Sequence, residues 1–510
     1  MNHNSINNSS PKQKRARCIA VLGTGSDVGK SIVVTALCRI FANKGVKVAP
    51  FKAQNMSNNS GITPDGLEMG RAQIVQAEAS KIPPHVDMNP VLLKPTGETG
   101  SQIVLLGKAL ENSSAFEYHT RKESLFEKTC DSLDRLRDNY ELIVIEGAGS
   151  CAEVNLMPND IVNLRMAKYA KAPVILVGDI HRGGIFAQLV GTLECIDSDQ
   201  RKQIAGFIIN RFRGDLRLFE DGKKWIENKT GKKIFGVLPW YNHIKIDAED
   251  SVVIESPRQV NSNNNGLPAV AVIRLPHISN FTDFDPLSRI KNIRLDYIQT
   301  ACDLSDFKAV IIPGSKNTRY DLTWLEETGW SEKILAYADM GGHVLGICGG
   351  YQMLGRAIHD PYGLEGMPGT SKGLLLLPTE TTLKAPKVTT LTRFSWDGIS
   401  GTGYEIHMGQ TINESNEYMF EVTDRNNIAC RDFDGCISSN KKIMGTYMHG
   451  VFDTPLIVKK WLETIGIDQP AISNLTGFAE RDKEYDLLAD HFEKHIDLDA
   501  VFKIAQGDYL

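Results

Sequence analysis

The stretch Gly-Thr-Gly-Ser-Asp-Val-Gly-Lys-Ser at residues 23–31 constrains the fold more than any other part of the chain. It follows the apolar run CIAVLG and precedes the helical pattern KSIVVTALCRIFANKG, which stops at Gly45. Glycines in such a turn let backbone N–H groups point at phosphate oxygens, and the N-terminus of the following helix adds a favourable dipole. The stretch therefore predicts a strand, a phosphate-binding loop and a helix in that order, as in a parallel α/β sheet.

Within this loop we expect Lys30 to reach the terminal phosphates of a nucleotide and the Ser31 hydroxyl to ligate Mg²⁺. Five residues separate Gly23 from Gly29, one more than in the usual P-loop. An ordinary glycine turn is the alternative, but the preceding strand and the Gly-Lys-Ser ending favour a nucleotide site. Asn210 ends a later strand, where we expect it to read a base edge. The residues predicted to bind the nucleotide are Gly23, Gly25, Ser26, Asp27, Gly29, Lys30, Ser31 and Asn210.

Acidic residues at and after the apolar strand ELIVIEG (141–147) are candidates for binding the metal and the substrate. Glu146 ends this strand, where its carboxylate would face the phosphates, so Ser31 and Glu146 are the predicted metal ligands. A solvated glutamate at a strand end is the alternative. Glu153 and Asp160 follow in the next loop, where they could orient a second metal or hold an amide or carboxyl group of the substrate.

Apolar runs alternate with amphipathic stretches through both halves of the chain. They predict buried parallel strands at 18–23, 141–147, 172–179, 204–211, 269–275, 309–314, 343–348 and 443–450. This repetition predicts an α/β protein with two doubly wound parallel-sheet domains, the first of them P-loop NTPase-like. Asp179 ends one of the strands and Arg182 follows it, at the sheet edge where ligands of such folds bind.

The segment PRQVNSNNNGLP at 257–268 contains four asparagines, a glycine and two prolines, so we place the domain boundary there. Tyr485, Leu488 and Phe492 lie at helical spacing near the end of the chain, and we expect their helix to pack on the second domain. The predicted organisation is a disordered tail (1–16), a first domain (17–256), a linker (257–268), a second domain (269–465) and a C-terminal helical extension (466–510).

The composition excludes some classes of protein. A net charge of −5 over 510 residues does not indicate a nucleic-acid-binding surface. No apolar run approaches the about 20 residues of a membrane helix, and the polar start lacks the apolar core of a signal peptide. Nine cysteines form no CxxC pair, which fits a reducing cytoplasm without a disulfide framework or zinc ribbon. We expect a cytoplasmic protein that binds neither nucleic acid nor membranes.

A second glycine-rich turn, GICGG at 346–350, carries Cys348. Gly-x-Cys-x-Gly between a strand and a helix is the pattern of a nucleophile elbow with sulfur in place of oxygen. A helix beginning at Gly349 would favour the thiolate and supply backbone N–H groups for an oxyanion. A small buried thiol behind a tight turn is the alternative.

A cysteine nucleophile needs a base, and the chain offers three histidines as candidates. His449 follows the run IMGTYM at the carboxyl end of a predicted strand and is the predicted base. His343 begins the strand that carries Cys348, so it should lie a strand's length from the thiol. His407 could line the site or simply pack.

Both halves resemble known families. The first half resembles the dethiobiotin synthetase-type nucleoside triphosphatases, whose loop is lengthened in the same way. Partition ATPases of that superfamily are the rival, but they usually carry a lysine where this chain has Gly-Thr-Gly-Ser. The second half is similar to class I glutamine amidotransferases, in which a Cys/His pair hydrolyses glutamine and releases ammonia.

The second resemblance assigns roles to individual residues. It implies catalytic roles for Cys348 and His449, and oxyanion or glutamine contacts at Gly314, Ser315 and Gly349. Most members of the class carry a glutamate two residues after the histidine, where this chain has Val451. This departure matches the cobyric-type branch, which works with a Cys–His dyad, and leaves open what orients the imidazole.

From about residue 18 to 465 the chain resembles the cobyric-type corrin amidoligases. The strings that carry this resemblance are FKAQNMSNNS (51–60), MNPVLLKPTGETGSQIVLLGK (88–108), IEGAGSCAEVNL (145–156), DIHRGGIFAQLVGT (179–192), IINRFRGD (208–215), LPHISNFTDFDPL (275–287) and IPGSKNT (312–318). In DIHRGG the chain has His181 where an aspartate is expected, so the resemblance gives position 181 no role.

This resemblance implies a reaction and its partners. ATP, with Mg²⁺, would convert a carboxylate to an acyl phosphate, and ammonia from L-glutamine would displace the phosphate. The implied acceptor is adenosylcobyrinic acid a,c-diamide, amidated at its b, d, e and g carboxylates. Independently of the resemblance, polar residues in loops beside the phosphate cradle are candidate contacts for a substrate with several carboxylates, and the alternative is that they are ordinary surface residues. They are Lys52, Gln54, Asn55, Lys94 and Gln102, and the predicted substrate residues also include Glu153 and Asp160 of the later loop. The alternatives are a cobyrinic acid a,c-diamide synthase and, in another class, a partition or regulatory ATPase with an inactive amidotransferase module.

Overall fold

The computed structural model describes residues 15–96, 100–241, 245–246, 266–472 and 477–507, with the backbone alone described at 111–120. Most of the predicted tail (1–16) and most of the predicted linker (257–268) lie outside the described residues. No helix in the described ranges combines the length and the apolar character needed to cross a membrane.

A first unit (residues 17–239) is built on a parallel sheet. Its elements are β1 (Arg17–Gly23), α1 (Lys30–Asn43), β2 (Val48–Phe51), β3 (Gln54–Met56), β4 (Ser60–Ile62), β5 (Glu68–Gly70), α2 (Arg71–Ala79), β6 (Val91–Pro95), β7 (Gly100–Leu105), β8 (Lys108–Ser114), α3 (Ala115–Asn139), β9 (Leu142–Glu146), α4 (Leu164–Ala170), β10 (Val174–Asp179), α5 (Ile185–Cys195), α6 (Ser198–Gln203), β11 (Ile204–Phe212), α7 (Glu220–Thr230) and β12 (Lys233–Pro239).

The main sheet of the first unit has the order β12-β11-β10-β1-β9-β2, and the paired strands run parallel. Successive residues of β1 enter opposite cores, Ile19 and Val21 on one face and Ala20 and Leu22 on the other. Both faces are therefore covered, as a continuously apolar strand requires. The predicted doubly wound sheet is confirmed.

A smaller sheet, of order β3-β6-β7-β8, and the β4–β5 hairpin lie between β2 and α3 along the chain. The prediction that Gln54, Asn55, Lys94 and Gln102 lie in loops is wrong. Gln54 and Asn55 belong to β3. Lys94 and Gln102 lie opposite each other in β6 and β7, and both side chains are buried.

A second unit (residues 269–464) is also an α/β structure. Its elements are β13 (Ala269–Ile273), β14 (Ile278–Ser279), α8 (Asp285–Ser288), β15 (Arg294–Ile298), β16 (Phe307–Ile312), β17 (Gly314–Ser315), α9 (Thr318–Glu327), α10 (Trp330–Asp339), β18 (His343–Ile347), α11 (Gly349–Leu354), β19 (Ala357–Asp360), β20 (Gly369–Lys372), β21 (Thr379–Trp396), β22 (Ile399–Asn413), β23 (Phe420–Arg425), β24 (Ile428–Asp434), β25 (Cys436–Ile437), β26 (Ile443–Thr446), β27 (Met448–His449) and α12 (Pro455–Thr464).

The central sheet of the second unit has the order β15-β13-β16-β18-β26-β25, parallel except for β25. The long β21 and β22 belong to a second, mixed sheet. The sequence predicted one strand over 443–450, but the chain leaves the central sheet after Thr446. The short β27 then pairs with β22, so that His449 lies opposite Tyr404.

The chain ends in two helices, α13 (Gly477–Glu493) and α14 (Leu498–Gln506). The expectation that Tyr485, Leu488 and Phe492 pack on the second domain is wrong. These residues are buried in the first unit, where Leu488 and Phe492 share a core with α1 and Tyr485 packs on Val75 of α2. The buried Arg39 of α1 also forms ion pairs with two aspartates of α13, Asp482 and Asp486.

Candidate active sites

The phosphate-binding loop joins β1 to α1, as the sequence predicts. The Lys30 ammonium folds back over the loop and donates to the carbonyl oxygens of Gly25 and Gly149, each at 2.9 Å. Gly29 has a φ of +97°, and a Cβ at this position would lie 2.1 Å from the Asn210 amide nitrogen. Glycine is therefore required here both by the backbone conformation and by the close approach of Asn210.

Glu146 is fully buried at the end of β9 and is the centre of a polar network. Its Oε1 accepts hydrogen bonds from Ser31 Oγ at 2.8 Å and from Lys52 Nζ at 2.9 Å. Its Oε2 accepts one from the Gln76 amide of α2. The structure thus brings the two predicted metal ligands together, with Lys52 balancing the carboxylate charge.

A cavity of about 710 Å³ opens from this loop. Its lining includes the predicted residues Lys52, Gln54 and Asn55. Trp240 and His491 of α13 also line it, and neither was predicted to be functional. The residues of the lining for which the sequence predicts a function are Ser26, Asp27, Gly29, Lys30, Ser31, Lys52, Gln54, Asn55 and Asn210.

Asn210 lines the cavity, and its side-chain amide already makes hydrogen bonds within the protein. Its Nδ2 donates to the Val28 carbonyl at 3.0 Å, and its Oδ1 accepts from the Arg211 N–H at 2.8 Å. Arg211 in turn pairs with Asp179 at 2.9 Å and with Asp27 at 3.2 Å. These contacts hold the Asn210 side chain in the cavity lining. Its predicted contact with the base of a nucleotide stays a prediction.

Three other residues singled out in the sequence, Asp160, Glu153 and Arg182, are not part of the cavity lining. Asp160 accepts the backbone N–H groups of Val162 and Asn163, at 2.9 and 3.1 Å, and so stabilises a turn. Burial raises the pKa of Asp160, while these hydrogen bonds act in the opposite direction. Glu153 is exposed, and so is Arg182, which pairs with Asp27 at 3.6 Å.

His181, which received no role, lies at the same edge of the sheet. Its backbone N–H donates to Asp179 Oδ1 at 2.7 Å, and its ring centroid is 4.7 Å from that of Trp240. Trp240 also packs on the Arg213 guanidinium, 4.1 Å from the ring centroid. Trp240 lies next to Tyr241 in the sequence, and this aromatic pair is a local signal for the part of the lining that was not predicted.

Lys94 lies at the contact between the two units. Its Nζ bonds to Glu68 Oε1 at 2.6 Å and to Ser60 Oγ at 2.8 Å. The second oxygen of Glu68 accepts from Lys387 of the second unit at 2.7 Å. Burial lowers the pKa of Lys94 to about 8, although the Glu68 carboxylate acts to raise it. The two lysines hold the pKa of Glu68 well below its usual range against the effect of burial.

Cys348 occupies a sharp turn between β18 and α11. Its backbone has φ +52° and ψ −106°, a conformation that is strained for a residue with a side chain. A Cβ on Gly350 would lie 2.0 Å from the Ile312 carbonyl oxygen, so the turn packs too closely for any other residue there. The Cys348 Sγ points toward β22, 3.5 Å from the Ile406 carbonyl oxygen.

The predicted oxyanion residues lie beside this turn. A Cβ on Gly349 would lie 2.9 Å from the backbone nitrogen of Ser315. A Cβ on Gly314 would lie 3.3 Å from Cε1 of His449. The loop of β17 therefore approaches both the start of α11, which follows Cys348, and the imidazole of His449.

His449 is buried and held on two sides. Its Nδ1 lies 2.6 Å from Oδ2 of Asp283, whose Oδ1 accepts the Gly450 N–H at 3.0 Å. The Tyr404 ring stacks on the imidazole at a centroid distance of 5.2 Å. Burial alone would lower the pKa of His449, but Asp283 and the Cys348 sulfur outweigh it and raise the pKa to about 10.

Asp283 is a candidate functional residue that the sequence did not predict. It lies in LPHISNFTDFDPL, one of the strings that carry the resemblance. Its carboxylate contacts the imidazole, a contact that the apolar, buried side chain of Val451 cannot make. The acidic pair in TDFD was the available signal, but no local pattern connects it to a histidine so far along the chain.

The other two histidines are placed elsewhere. His343 begins β18, at the opposite end of that strand from Cys348, and burial lowers its pKa. The His407 ring stacks on Tyr447 at 3.8 Å, and its Nδ1 lies 2.8 Å from the Gly409 carbonyl oxygen. His449 is therefore the histidine that the fold brings to the thiol.

Two family models match the chain. They are the CobQ/CobB/MinD/ParA nucleotide binding domain, over residues 19–253, and the CobB/CobQ-like glutamine amidotransferase domain, over residues 269–456. A solved structure of a glutamine amidotransferase matches 39% of this chain and 98% of its own at 18% identity and a TM-score of 0.29, which is too distant to support an argument.

Relatives named cobyric acid synthase match almost the whole chain. One from Chlorobaculum tepidum is 51% identical over 495 residues, covering 96% of this chain and 97% of the relative. One from Chlorobium phaeobacteroides (strain BS1) is 50% identical over 492 residues, covering 96% and 99%. One from Vibrio vulnificus (strain YJ016) is 45% identical over 489 residues, covering 94% and 98%.

Proposed function

Because the chain belongs to the cobyric acid synthase family of glutamine-hydrolysing ligases in cobalamin biosynthesis, we propose that its acceptor is adenosylcobyrinic acid a,c-diamide. ATP and L-glutamine are the proposed co-substrates, and the b, d, e and g carboxylates become amides to give adenosylcobyric acid. The observation that carries the proposal is a Cys348–His449 site and a Lys30–Ser31–Glu146 site in one chain. One site can release ammonia and the other can activate a carboxylate.

In the glutaminase site, the Cys348 thiolate attacks the side-chain amide carbon of glutamine and a carbon–sulfur bond forms. The amide oxygen takes up the negative charge and is stabilised by backbone N–H groups of the Gly314–Ser315 loop and Gly349. The His449 imidazolium gives its proton to the departing nitrogen, and ammonia leaves a thioester behind. Water then attacks the thioester and releases glutamate.

Asp283 acts through the imidazole. Its contact with Nδ1 leaves Nε2 directed toward the reacting atoms, and its negative charge stabilises the imidazolium. The bond from the Gly450 N–H fixes the carboxylate itself. Asp283 is thus a positioning residue that takes the role of the glutamate found in most members of the class.

In the synthetase site, the loop N–H groups and Lys30 hold the phosphates of ATP. Ser31 and Glu146 fit a Mg²⁺ site, because their oxygens are 2.8 Å apart and Mg²⁺ takes few protein oxygens beside phosphate and water. When bound, Mg²⁺ neutralises charge on the phosphates. A corrin carboxylate attacks the terminal phosphorus, ADP leaves, and ammonia then displaces phosphate from the acyl phosphate.

Lys52, Gln54 and Asn55 line the cavity next to the loop, and this placement supports a role in holding the acceptor. Lys94 and Gln102 are not included, since both are buried away from this cavity and the Lys94 ammonium is bonded to Glu68. Asp160 is not included either, because its carboxylate is used within a turn.

Product analysis tests the proposal. The purified protein is incubated with adenosylcobyrinic acid a,c-diamide, ATP and glutamine, and the corrins are followed by mass spectrometry. We expect successive conversion of the four carboxylates to amides. If the protein instead amidated the a and c carboxylates of cobyrinic acid, supplied in a parallel reaction, the protein would be a cobyrinic acid a,c-diamide synthase. Absence of any amidation together with absence of glutamine hydrolysis would support a binding module.

A further inference from the structure

We propose that Asn280 is a positioning residue of the glutaminase. Through Asn280, the placement of the catalytic imidazole depends on the docking of the first unit. The proposal rests on the glutaminase function proposed above. It concerns the contact between residues 57–70 of the first unit and the turn that carries Asp283.

A short chain of hydrogen bonds leads from the first unit to His449. The Ser60 N–H donates to Oδ1 of Asn280 at 3.0 Å. The Asn280 carbonyl oxygen accepts the N–H of Asp283 at 3.0 Å. Asp283 contacts Nδ1 of His449 at 2.6 Å. Each of these groups is buried, so a lost hydrogen bond leaves a buried polar group that water cannot readily satisfy.

Asn280 is suited to this place because of its backbone. It has a φ of +50° and a ψ of +39°, the left-handed conformation that asparagine adopts more readily than most residues. In this conformation its carbonyl closes the turn on Asp283, while its side chain reaches out to the first unit. A single residue therefore makes both contacts.

Two further hydrogen bonds join the first unit to groups beside the imidazole. The Tyr404 hydroxyl donates to the Ser60 carbonyl oxygen at 3.3 Å, and the Tyr404 ring stacks on His449. The Thr282 hydroxyl also donates to Oδ1 of Asn59 at 3.2 Å. Residues 59 and 60 thus contact both groups that hold the imidazole, the Asp283 turn and the Tyr404 ring.

The same segment of the first unit continues into the phosphate site. Residues 57–70 follow Gln54 and Asn55, which line the nucleotide cavity. They lead into α2, whose Gln76 bonds to Glu146. Asn280 is a residue of the second unit that bonds directly to this segment, through the Ser60 N–H.

The test compares two substitutions at one position. Asn280→Gly keeps the left-handed backbone and removes the acceptor, whereas Asn280→Asp keeps an oxygen acceptor and tolerates this backbone. Asn416→Gly is the matched control, because Asn416 has a φ of +58° and is exposed in the loop between β22 and β23. The measurements are glutamine hydrolysis across pH and amidation driven by ammonium salts.

We expect Asn280→Gly to lower the rate of glutamine hydrolysis about three- to tenfold, the range expected for one lost hydrogen bond. The alkaline limb of its pH profile should move to lower pH, because a displaced Asp283 no longer raises the pKa of His449. Asn280→Asp should restore most of the rate. Ammonium-driven amidation and the Asn416→Gly protein should match the parent.

An unchanged hydrolysis rate and pH profile in Asn280→Gly would overturn the proposal. Equal losses in Asn280→Gly and Asn280→Asp would also overturn it, since the acceptor would then not matter. A parallel fall in ammonium-driven amidation would indicate general unfolding and reject the positioning role. Failure of the function proposed above is distinguishable, because the parent protein itself would then amidate no corrin from either nitrogen source.

Discussion

The carboxylate of Asp283 lies 2.6 Å from Nδ1 of His449, although the two residues are 166 positions apart along the chain. Replacement of Asp283 by Asn should lower the glutamine-dependent rate by about a hundredfold or more, because the amide neither carries the charge that stabilises the imidazolium nor fixes its tautomer. Steady-state glutamate release measures this. Ammonium-driven amidation should stay at the parental rate, and an equal loss there would refute the assignment.

The raised pKa of His449 has a consequence for stability. The pKa rises from 6.5 to about 10 in the folded protein, so the folded state keeps a proton that the unfolded state releases. The contribution of this proton to the free energy of unfolding is complete below pH 6.5 and is lost as the pH rises through about 10. We expect the free energy of unfolding to fall over this window more in the parent than in Asp283→Asn.

Urea unfolding of both proteins at pH values below, within and at the top of the window measures this difference. Buried lysines such as Lys94 titrate in the same range, but their effect is common to both proteins. Parallel stability curves would show that Asp283 does not raise the pKa of His449.

Replacement of Cys348 by Ala should abolish the use of glutamine and leave amidation with ammonium salts. The thiol is needed to form the thioester, whereas free ammonia can enter the second half of the reaction directly. Replacement of Cys436, a buried thiol at the sheet edge, by Ala is the matched control. If ammonium-driven amidation also disappeared in Cys348→Ala, the division of labour between two sites would be wrong.

Replacement of Lys30 by Ala should have the complementary effect. Amidation should be lost with either nitrogen source, because the terminal phosphate loses its cation, while basal glutamine hydrolysis stays measurable. Corrin products and glutamate are measured in the same reactions. Complete loss of basal hydrolysis would indicate instead that Lys30, which bridges Gly25 and Gly149, supports the fold.

The packing of α13 on the first unit gives a prediction for stability. Leu488 is fully buried and Leu487 is 49% exposed on the same helix. Leu488→Ala should lower the free energy of unfolding by about 2–5 kcal/mol. Leu487→Ala should change it by less than about 0.5 kcal/mol. Urea denaturation measures both, and similar values would contradict the observed docking of the helix.

The sequence predicts the elements whose pattern is local. The apolar runs at 18–23, 141–147 and 343–348 are long enough and bounded clearly enough to be recognised as strands, and the glycine turns that follow two of them place Lys30 and Cys348. These features depend on neighbours in the chain, which a sequence shows directly.

The parts of the fold and of the candidate site that the sequence does not predict depend on contacts between distant segments. The strands β3 to β5 are three residues each and mostly polar or small, so no periodicity marks them. The spacing of Leu488 and Phe492 indicates a buried face but not which surface covers it. The approach of Asp283 to His449 involves the pairing of β14 with β17 and the departure of the chain from the central sheet before β27, and neither feature has a local signal.

Glu68 is shared by Lys94 of its own unit and Lys387 of the other, and all three side chains are buried. The two halves of the polypeptide are therefore not interchangeable parts. A chimera that took its C-terminal half from a protein with a neutral residue at position 387 would leave this carboxylate with one ammonium fewer to balance it, and the loss of a partner from a buried ionic cluster is destabilising. The effect of a substitution at position 68 in one half therefore depends on which residue stands at position 387 in the other.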